Sequence, residues 1–559
     1  MTIEQIEPRT RQRTLRLWPG VVAVALQWLI RFGVPLVLPD ALPFAVIGGV
    51  LGGLVVIVWW AFFSRVPWPE RVAGIALMIV AMLLTPRILH ESIAKGMMGM
   101  MFAIHAIPVL SLAFVVWAAA SRRLSDGSRR ASMAATILIA CGVWALVRTG
   151  GMTGNADSDF QWRWAKTPEE RLLAQAVEKP VALVPAALPE ASTVLPPTEI
   201  PATRTVIPVT PTIVPTAPVP EPGGDWPGFR GRNRDGVVTG VRIETDWSAS
   251  PPIALWRRQI GPAWSSFAVS GDLVYTQEQR GDSEVVSCYS ATNGKPVWSH
   301  RDAARFWESN AGAGPRATPT LSNGRVYTFG ATGILNALNA RDGSRVWSRN
   351  AASDTNTKLP GWGFAGSPVV VGDVVIVAAS GQLVGYGLAK GDRRWVGPTR
   401  RGGYSSPHLV TLDGVAQVLL LNGAGAVSVA PADGKLLWEH QWASGSAIVQ
   451  PALAPNGDVL ISNDSGGLGL RRLAVAHTPQ GWTVAERWTS AGLKPYFNDF
   501  VVHNGHAFGF DGAILACVDL KDGKRKWKGG RYGHGQLVVL ADQDLLLVIS
   551  EEGELALVE

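Results

Sequence analysis

A tryptophan recurs through the second half of this chain, each time four residues after a glycine. Gly294 precedes Trp298, Gly343 precedes Trp347, Gly391 precedes Trp395, Gly434 precedes Trp438 and Gly523 precedes Trp527. Trp488 closes a looser copy and Trp256 stands in front, so that the successive indoles are 42, 49, 48, 43, 50 and 39 residues apart. Asn-Gly and Asp-Gly supply the positive φ values of a tight hairpin turn. The tryptophan that follows falls on the next strand, where its broad ring packs on a neighbouring sheet. Two further short strands precede each turn, at 325–329 and 334–339 for example, and an earlier one, here 317–321, opens the set. Four strands in each period of roughly 45 residues describe a propeller blade.

Seven innermost strands are expected, starting near Ser265, Ala317, Gly366, Ser405, Gln450, Asn498 and Gly535. The last unit, 545–559, lacks an outer strand with its tryptophan, while 254–260 reads as a lone outer strand at the other end. Joining the two would close the ring and remove an exposed sheet edge.

The first 150 residues follow a different pattern. Of 559 residues 47% are hydrophobic and only 17% charged, well below the quarter or so usual in a soluble globule. The apolar excess gathers in five stretches, 17–38, 41–63, 71–89, 96–120 and 131–147, each near the ~20 residues that cross a bilayer. Arg9, Arg11, Arg13, Arg16, Arg65, Arg71, Arg122, Arg123, Arg129 and Arg130 fall on one side, against Arg87 and Lys95 on the other. The positive-inside rule places the N-terminus in the cytoplasm, and an odd number of spans puts the rest of the chain outside. The first span reads as an uncleaved anchor. Arg31 and His105 interrupt apolar stretches; Arg31 snorkels outward and His105 bonds a neighbouring helix, or the two face a quinone or proton path.

The expected organisation is therefore a five-helix transmembrane anchor (1–150), a juxtamembrane segment with a short helix (151–179), a Pro-rich linker (180–224) and an all-β propeller (225–559). Phe160, Trp162 and Trp164 suit the headgroup zone. Thr167, Pro168 and Glu170 form a capping-box pattern that starts a helix running to about Glu178. The stretch 180–222 holds 12 Pro and no Gly, a composition that favours extended polyproline II. Residues 225–559 carry 32 Lys and Arg against 30 Asp and Glu, which gives no nucleic-acid footprint.

With the turn-plus-tryptophan motif in place, 225–559 resembles the pyrroloquinoline-quinone (PQQ) repeat superfamily, and Asp225-Trp226-Pro227-Gly228-Phe229-Arg230-Gly231 is similar to the leading segment of these propellers. Two branches bear on function. One is the quinoprotein dehydrogenases, including the membrane glucose dehydrogenase type with five spans before a periplasmic propeller. The other resembles the lipoprotein of the outer-membrane barrel-assembly machinery, which binds partners and carries no cofactor. Both usually have eight blades, so the chain forms either a seven-bladed ring or an eight-bladed ring lacking its last blade.

The dehydrogenase resemblance implies PQQ stacked between a Trp and a disulfide of adjacent Cys, with Ca²⁺ on Glu, Asn and Asp oxygens and an Asp as base. Cys141, Cys288 and Cys517 include no adjacent pair. Polar residues nonetheless lie just before or on the innermost strands, where they converge on the channel mouth. Glu308, Asn310 and Asn498 offer oxygen ligands for a metal. Asp499 or His534 would serve as base. Arg316, Trp362, His408, Tyr496 and Tyr532 would surround a cofactor. Two readings follow: an inner-membrane-anchored periplasmic propeller that scaffolds an envelope complex, with the lipid bilayer and envelope proteins as partners, or a PQQ-dependent alcohol or sugar dehydrogenase that passes electrons to membrane quinone. The run Lys524-Arg525-Lys526 with Lys528 is expected on a solvated outer strand.

Overall fold

In the computed structural model the described residues are 16–38, 41–153, 158–175, 225–443, 445–463 and 467–559. They fall into two compact units, Met1–Arg171 with Trp307–Ala313, and Leu172–Phe306 with Gly314–Glu559. The linker 180–224, and Arg9, Arg11 and Arg13, lie outside the described residues.

The first unit contains five helices long and apolar enough to cross a membrane: Trp18–Val37, Leu42–Phe63, Trp68–Arg87, Met101–Arg123 and Asp126–Leu146. The third begins earlier than its apolar run because Pro67 is its N-cap and a proline occupies its first turn, where the missing N–H costs nothing. The fourth begins later, since Gly96–Gly99 forms a separate 3-10 turn. Trp60, Phe114 and Trp117 pack at the centre, with ring centroids 4.7 and 5.9 Å from Trp60. His105 Nδ1 contacts Met101 O of its own helix at 2.9 Å, rather than a neighbouring helix, and its ring lies edge-on to Phe160 at 5.1 Å. The hairpin Val147–Met152 with Ser158–Trp162 was not legible in the sequence and places Phe160 and Trp162 on a strand. The capping box forms as expected, with Thr167 N donating to Glu170 Oε2 at 2.6 Å and Glu170 N to Thr167 Oγ1 at 2.9 Å. Its helix, Pro168–Leu173, is shorter than expected; Glu178 lies outside the described residues.

In the second unit the strands form seven four-stranded sheets, blades 1 to 7 in chain order. Blades 1 to 6 occupy 268–302, 320–350, 369–396, 408–441, 452–490 and 501–531, each an antiparallel meander in sequence order. Period-2 alternation makes every blade a two-sided layer. In Val374–Ala379, Val375, Val377 and Ala379 pack toward blade 2, while Val374, Ile376 and Ala378 pack toward blade 4. Six such apolar layers join consecutive blades from 1 to 7.

The glycine–tryptophan spacing has a double cause. At Gly343 and Gly391 φ is 71° and 68°, a conformation that glycine adopts without steric cost. In addition, the indole of the preceding blade lies on the glycine: a Cβ at Gly294, Gly343, Gly391, Gly434 or Gly523 would come under 3.0 Å from Trp256, Trp298, Trp347, Trp395 or Trp488. Each of these indoles also donates to a carbonyl three residues before that glycine: Trp256 to Ala291, Trp298 to Ala340, Trp347 to Leu388, Trp395 to Pro431 and Trp488 to Leu520. Trp438 departs from the rule and donates to Gln417 Oε1 within its own blade.

Blade 7 corrects the expected closure. Its strands Gln536–Leu540, Leu545–Ile549 and Leu555–Val558 gain their fourth member from Val237–Val238, which pairs parallel to Val539–Leu540. Residues 254–260 form no strand, and Leu255 is 82% exposed. Trp256 still covers Gly294, so this segment supplies the indole of an outer strand without its ladder. The basic run lies, as expected, on the exposed outermost strand of blade 6, Arg525–Arg531; there Arg525 and Lys528 both reach Asp511, at 2.9 and 2.8 Å, and Lys526 lies 3.7 Å from Asp519.

Candidate functional site

The segments that lead into the innermost strands share one strand direction and open on one rim of the propeller. Beneath that rim the axis is filled by the chain itself. Residues 225–238 thread the centre and bond to every blade. Trp226 exchanges backbone hydrogen bonds with Val269 of blade 1, at 2.9 and 2.7 Å, and Pro227 O accepts from Leu321 of blade 2 at 2.7 Å. Arg234 donates to Pro368 O and Ser367 O at the start of blade 3, at 2.8 and 3.1 Å, and to Gln450 Oε1 before blade 5 at 3.1 Å. Asn233 O meets His408 of blade 4 at 3.2 Å. Arg230 donates to Phe500 O of blade 6 and lies 3.7 Å from Asp499. Gly236 O accepts from Val539 of blade 7 at 2.9 Å.

The electrostatics of this axis are those of a buried structural network. Arg234 is 6% exposed, and burial, with repulsion from Arg230, pulls its guanidinium down to about 9, Asp499 opposing the shift. It stays protonated at neutral pH. Burial raises the Asp499 carboxyl, while Arg230, the N–H of Gln450 and Arg234 hold it back. His408 is pushed down to about 4, by burial first and then by the two arginines, against the pull of Pro451 O and Asn233 O. A neutral imidazole carries one N–H, and the 2.7 Å contact of Nδ1 with Pro451 O is the closer of its two carbonyl contacts. Asp499 and His408, expected as base and cofactor ligand, are therefore the blades' side of the axial network. Arg230, Arg234 and Gln450 complete it and were not among the site residues expected from the sequence.

The remaining candidates divide. Glu308 and Asn310 sit in the hairpin Trp307–Ala313, which packs as part of the first unit. Glu308 accepts from the N–H groups of Asn310 and Ala311, at 2.7 and 2.6 Å, and Asn310 Oδ1 accepts from Met97 N at 3.1 Å. Asn498 belongs to the second unit, where its Oδ1 accepts from Tyr496 N at 3.3 Å. Two of the three expected oxygen ligands thus belong to the first unit and one to the second, and no group of three His, Cys, Asp or Glu suited to a metal occurs among the described residues. On the rim, Tyr496 and His534 meet around Phe497, with centroids 5.4 and 5.2 Å away, and Trp264 lies edge-on to the same ring at 6.1 Å. Arg316 donates to Trp362 O at 3.3 Å, and Trp362 packs on Tyr404 at 5.0 Å. Tyr532 packs on the apolar layer between blades 6 and 7, its N–H bonded to Ala513 O at 3.0 Å.

The residues present do not fit PQQ held in the dehydrogenase manner. Cys288 and Cys517 are free and buried, one inside the blade 1 strand Ser283–Ser290 and the other inside the blade 6 strand Ile514–Asp519. Burial pushes their thiols up to about 12 and about 11. The carboxylate expected as base is enclosed with arginines.

The family described as outer membrane protein assembly factor BamB matches residues 253–407 and again 400–529. The chain's propeller belongs to this PQQ-repeat family. Within it, BamB of Shewanella oneidensis is 30% identical over 113 residues, 19% of this chain and 26% of that protein. BamB of Yersinia pestis is 24% identical over 301 residues, 51% of this chain and 62% of that protein. The chain thus spans less than two thirds of the length of these curated relatives. The crystal structure of BamB from Moraxella catarrhalis aligns with 53% of this chain and 84% of its own, at 17% identity and a TM-score of 0.35.

Proposed function

We propose that the protein is a membrane-anchored binding module of the bacterial envelope, whose propeller stands on the periplasmic side of the inner membrane and holds protein partners on its rim. The observation that carries this reading is the filled axis. With residues 225–238 bonded to all seven blades, the two arginines of the channel are turned to backbone carbonyls, Gln450 and Asp499. What faces solvent is a rim bearing Trp264, Trp362, Tyr404, Tyr496 and Arg316, of which Trp264 is 52% exposed. Tryptophan, tyrosine and arginine are the side chains that dominate protein–protein hot spots. The match to the outer membrane protein assembly factor family supports an envelope partner, and the apolar helices with their one-sided arginines support the anchor.

A photo-crosslinking amino acid at position 264 or 362, in the full chain in living cells, tests this. Specific adducts with envelope proteins, lost on Trp264→Ala with Tyr496→Ala, are expected. Absence of adducts at both positions, together with PQQ-dependent dye reduction by the purified protein, would replace the scaffold reading with the dehydrogenase one.

A further inference from the structure

We infer that the first two spans form a binding site for an anionic phospholipid, and this rests on the membrane-anchor reading. A groove of about 300 Å³ runs between them, lined by Arg16, Trp18, Val55, Val58, Trp59 and Phe63. Its walls are apolar and open toward the surroundings: Val55, Val58 and Phe63 are 54%, 47% and 52% exposed. They suit an acyl chain. The groove ends where the first span begins and the second stops, which is the arginine-rich end of the bundle.

Two features make that end a headgroup site rather than a bare apolar surface. Arg16 is fixed there through its backbone: its N–H donates to Ser64 O at 3.4 Å, and its carbonyl accepts from the Trp59 indole at 3.0 Å. Its guanidinium lies over the Trp18 ring at 5.3 Å. Beside Ser64, Arg65 occupies the turn between spans with φ 64°. A left-handed position favours glycine, yet the chain places a cation there, and sparsely populated backbone of this kind gathers at ligand sites. Both arginines are exposed, and the ion pairs among the described residues of this unit, Lys95–Glu91 and Arg130–Glu70, involve neither. Arg16 lining the groove, with Arg65 in the turn two residues after Phe63 of its wall, matches a phosphate-bearing headgroup with its acyl chain below. A zwitterionic headgroup, whose own cation meets the same arginines, fits less well. Basic pockets between helices on the cytoplasmic side hold anionic headgroups for this reason.

Native mass spectrometry of the full chain in detergent, with phosphatidylglycerol or phosphatidylcholine of identical acyl chains, tests the assignment. Retention of the anionic lipid should exceed that of the zwitterionic one by roughly 30-fold, about fivefold for each arginine. The preference should collapse in Arg16→Gln/Arg65→Gln and survive in Arg122→Gln/Arg123→Gln. Val58→Trp, which fills the groove without changing charge, should weaken retention of both lipids. Equal retention by the wild-type chain, or a preference that survives loss of both arginines, would overturn the site. Carbonate extraction separates the two layers of the argument. A chain washed from membranes refutes the anchor and the site together, whereas an integral chain blind to headgroup charge refutes the site alone.

Discussion

Replacing Arg234 by methionine should destabilise the propeller as a whole. The side chain is 6% exposed and its guanidinium satisfies three acceptors, Ser367 O, Pro368 O and Gln450 Oε1. Hydrogen bonds from a charged donor contribute about 1.5–3 kcal/mol each, and an orphaned buried acceptor costs about 1–3 kcal/mol. Against this stands the cost of desolvating the cation, which methionine removes. The balance for a network broken on one side is about 3–5 kcal/mol. With a urea slope of about 3 kcal/mol per M, the midpoint should fall by about 1–1.7 M. The assay is equilibrium unfolding of the full chain in detergent, followed by tryptophan emission. Because residues 225–238 contact every blade, the main transition should move as one unit, with no new early step. Arg234→Lys, which keeps the charge but not the fork, should lie between the two. A methionine variant as stable as the wild type would refute the axial network as a source of stability.

Three further outcomes follow from the same structure. Gly343→Ala should cost about 2–3 kcal/mol, because it adds a collision with Trp298 to an unfavourable φ; Gly372→Ala, with φ 59° and nothing within 4 Å, should cost only about 1 kcal/mol, the left-handed penalty alone. Both are read as shifts in the urea midpoint, and equal losses would remove the collision from the account. Glu284 is pushed up to about 7 by burial, with the Ala331 N–H opposing, Asp302 adding and Arg316 opposing. The folded state then binds its proton more tightly than the unfolded one, so this group's contribution is present at low pH and lost as pH rises from about 4.5 to about 7, on the order of 3 kcal/mol. Glu284→Gln should flatten the stability profile over that window and exceed the wild type at about pH 8; an unchanged slope would show that other groups set it. Finally, calorimetric titration of the full chain with PQQ and Ca²⁺ should give no saturable heat, and a stoichiometric isotherm would reverse the misfit argued from Cys288, Cys517 and Asp499.

The period was legible because its cause is local in sequence. A glycine with positive φ and a tryptophan four residues on are set by one turn, and the same pair meets the neighbouring blade through identical geometry at Gly343 and Gly391. The innermost strands of blades 1 to 6 could be placed for the same reason, each beginning within a few residues of its expected start, whereas in blade 7 the expected one, Gln536–Leu540, has Val237–Val238 on its inner side. The axis was not legible. Arg234 and Gln450 are 216 positions apart, and Arg230 and Phe500 are 270 apart; no periodicity links a leading segment to seven blades. Asp499 and His408 were recognised as converging polar residues, but what they converge on is supplied by that segment. The oxygens of Glu308 and Asn310 accept from the turn they stand in and from the backbone N–H of Met97, partners that no local pattern in the sequence announces. The hairpin Val147–Met152 with Ser158–Trp162 was hidden behind its aromatic residues, which suit a membrane interface equally well as strand positions.

The propeller's attachment point has a mechanical consequence. Residue 225 follows directly on the Pro-rich linker, and it opens the stretch of chain that runs through the hub. A pull arriving along that linker is spread from the hub to the whole wheel, instead of peeling a single rim strand from its neighbour.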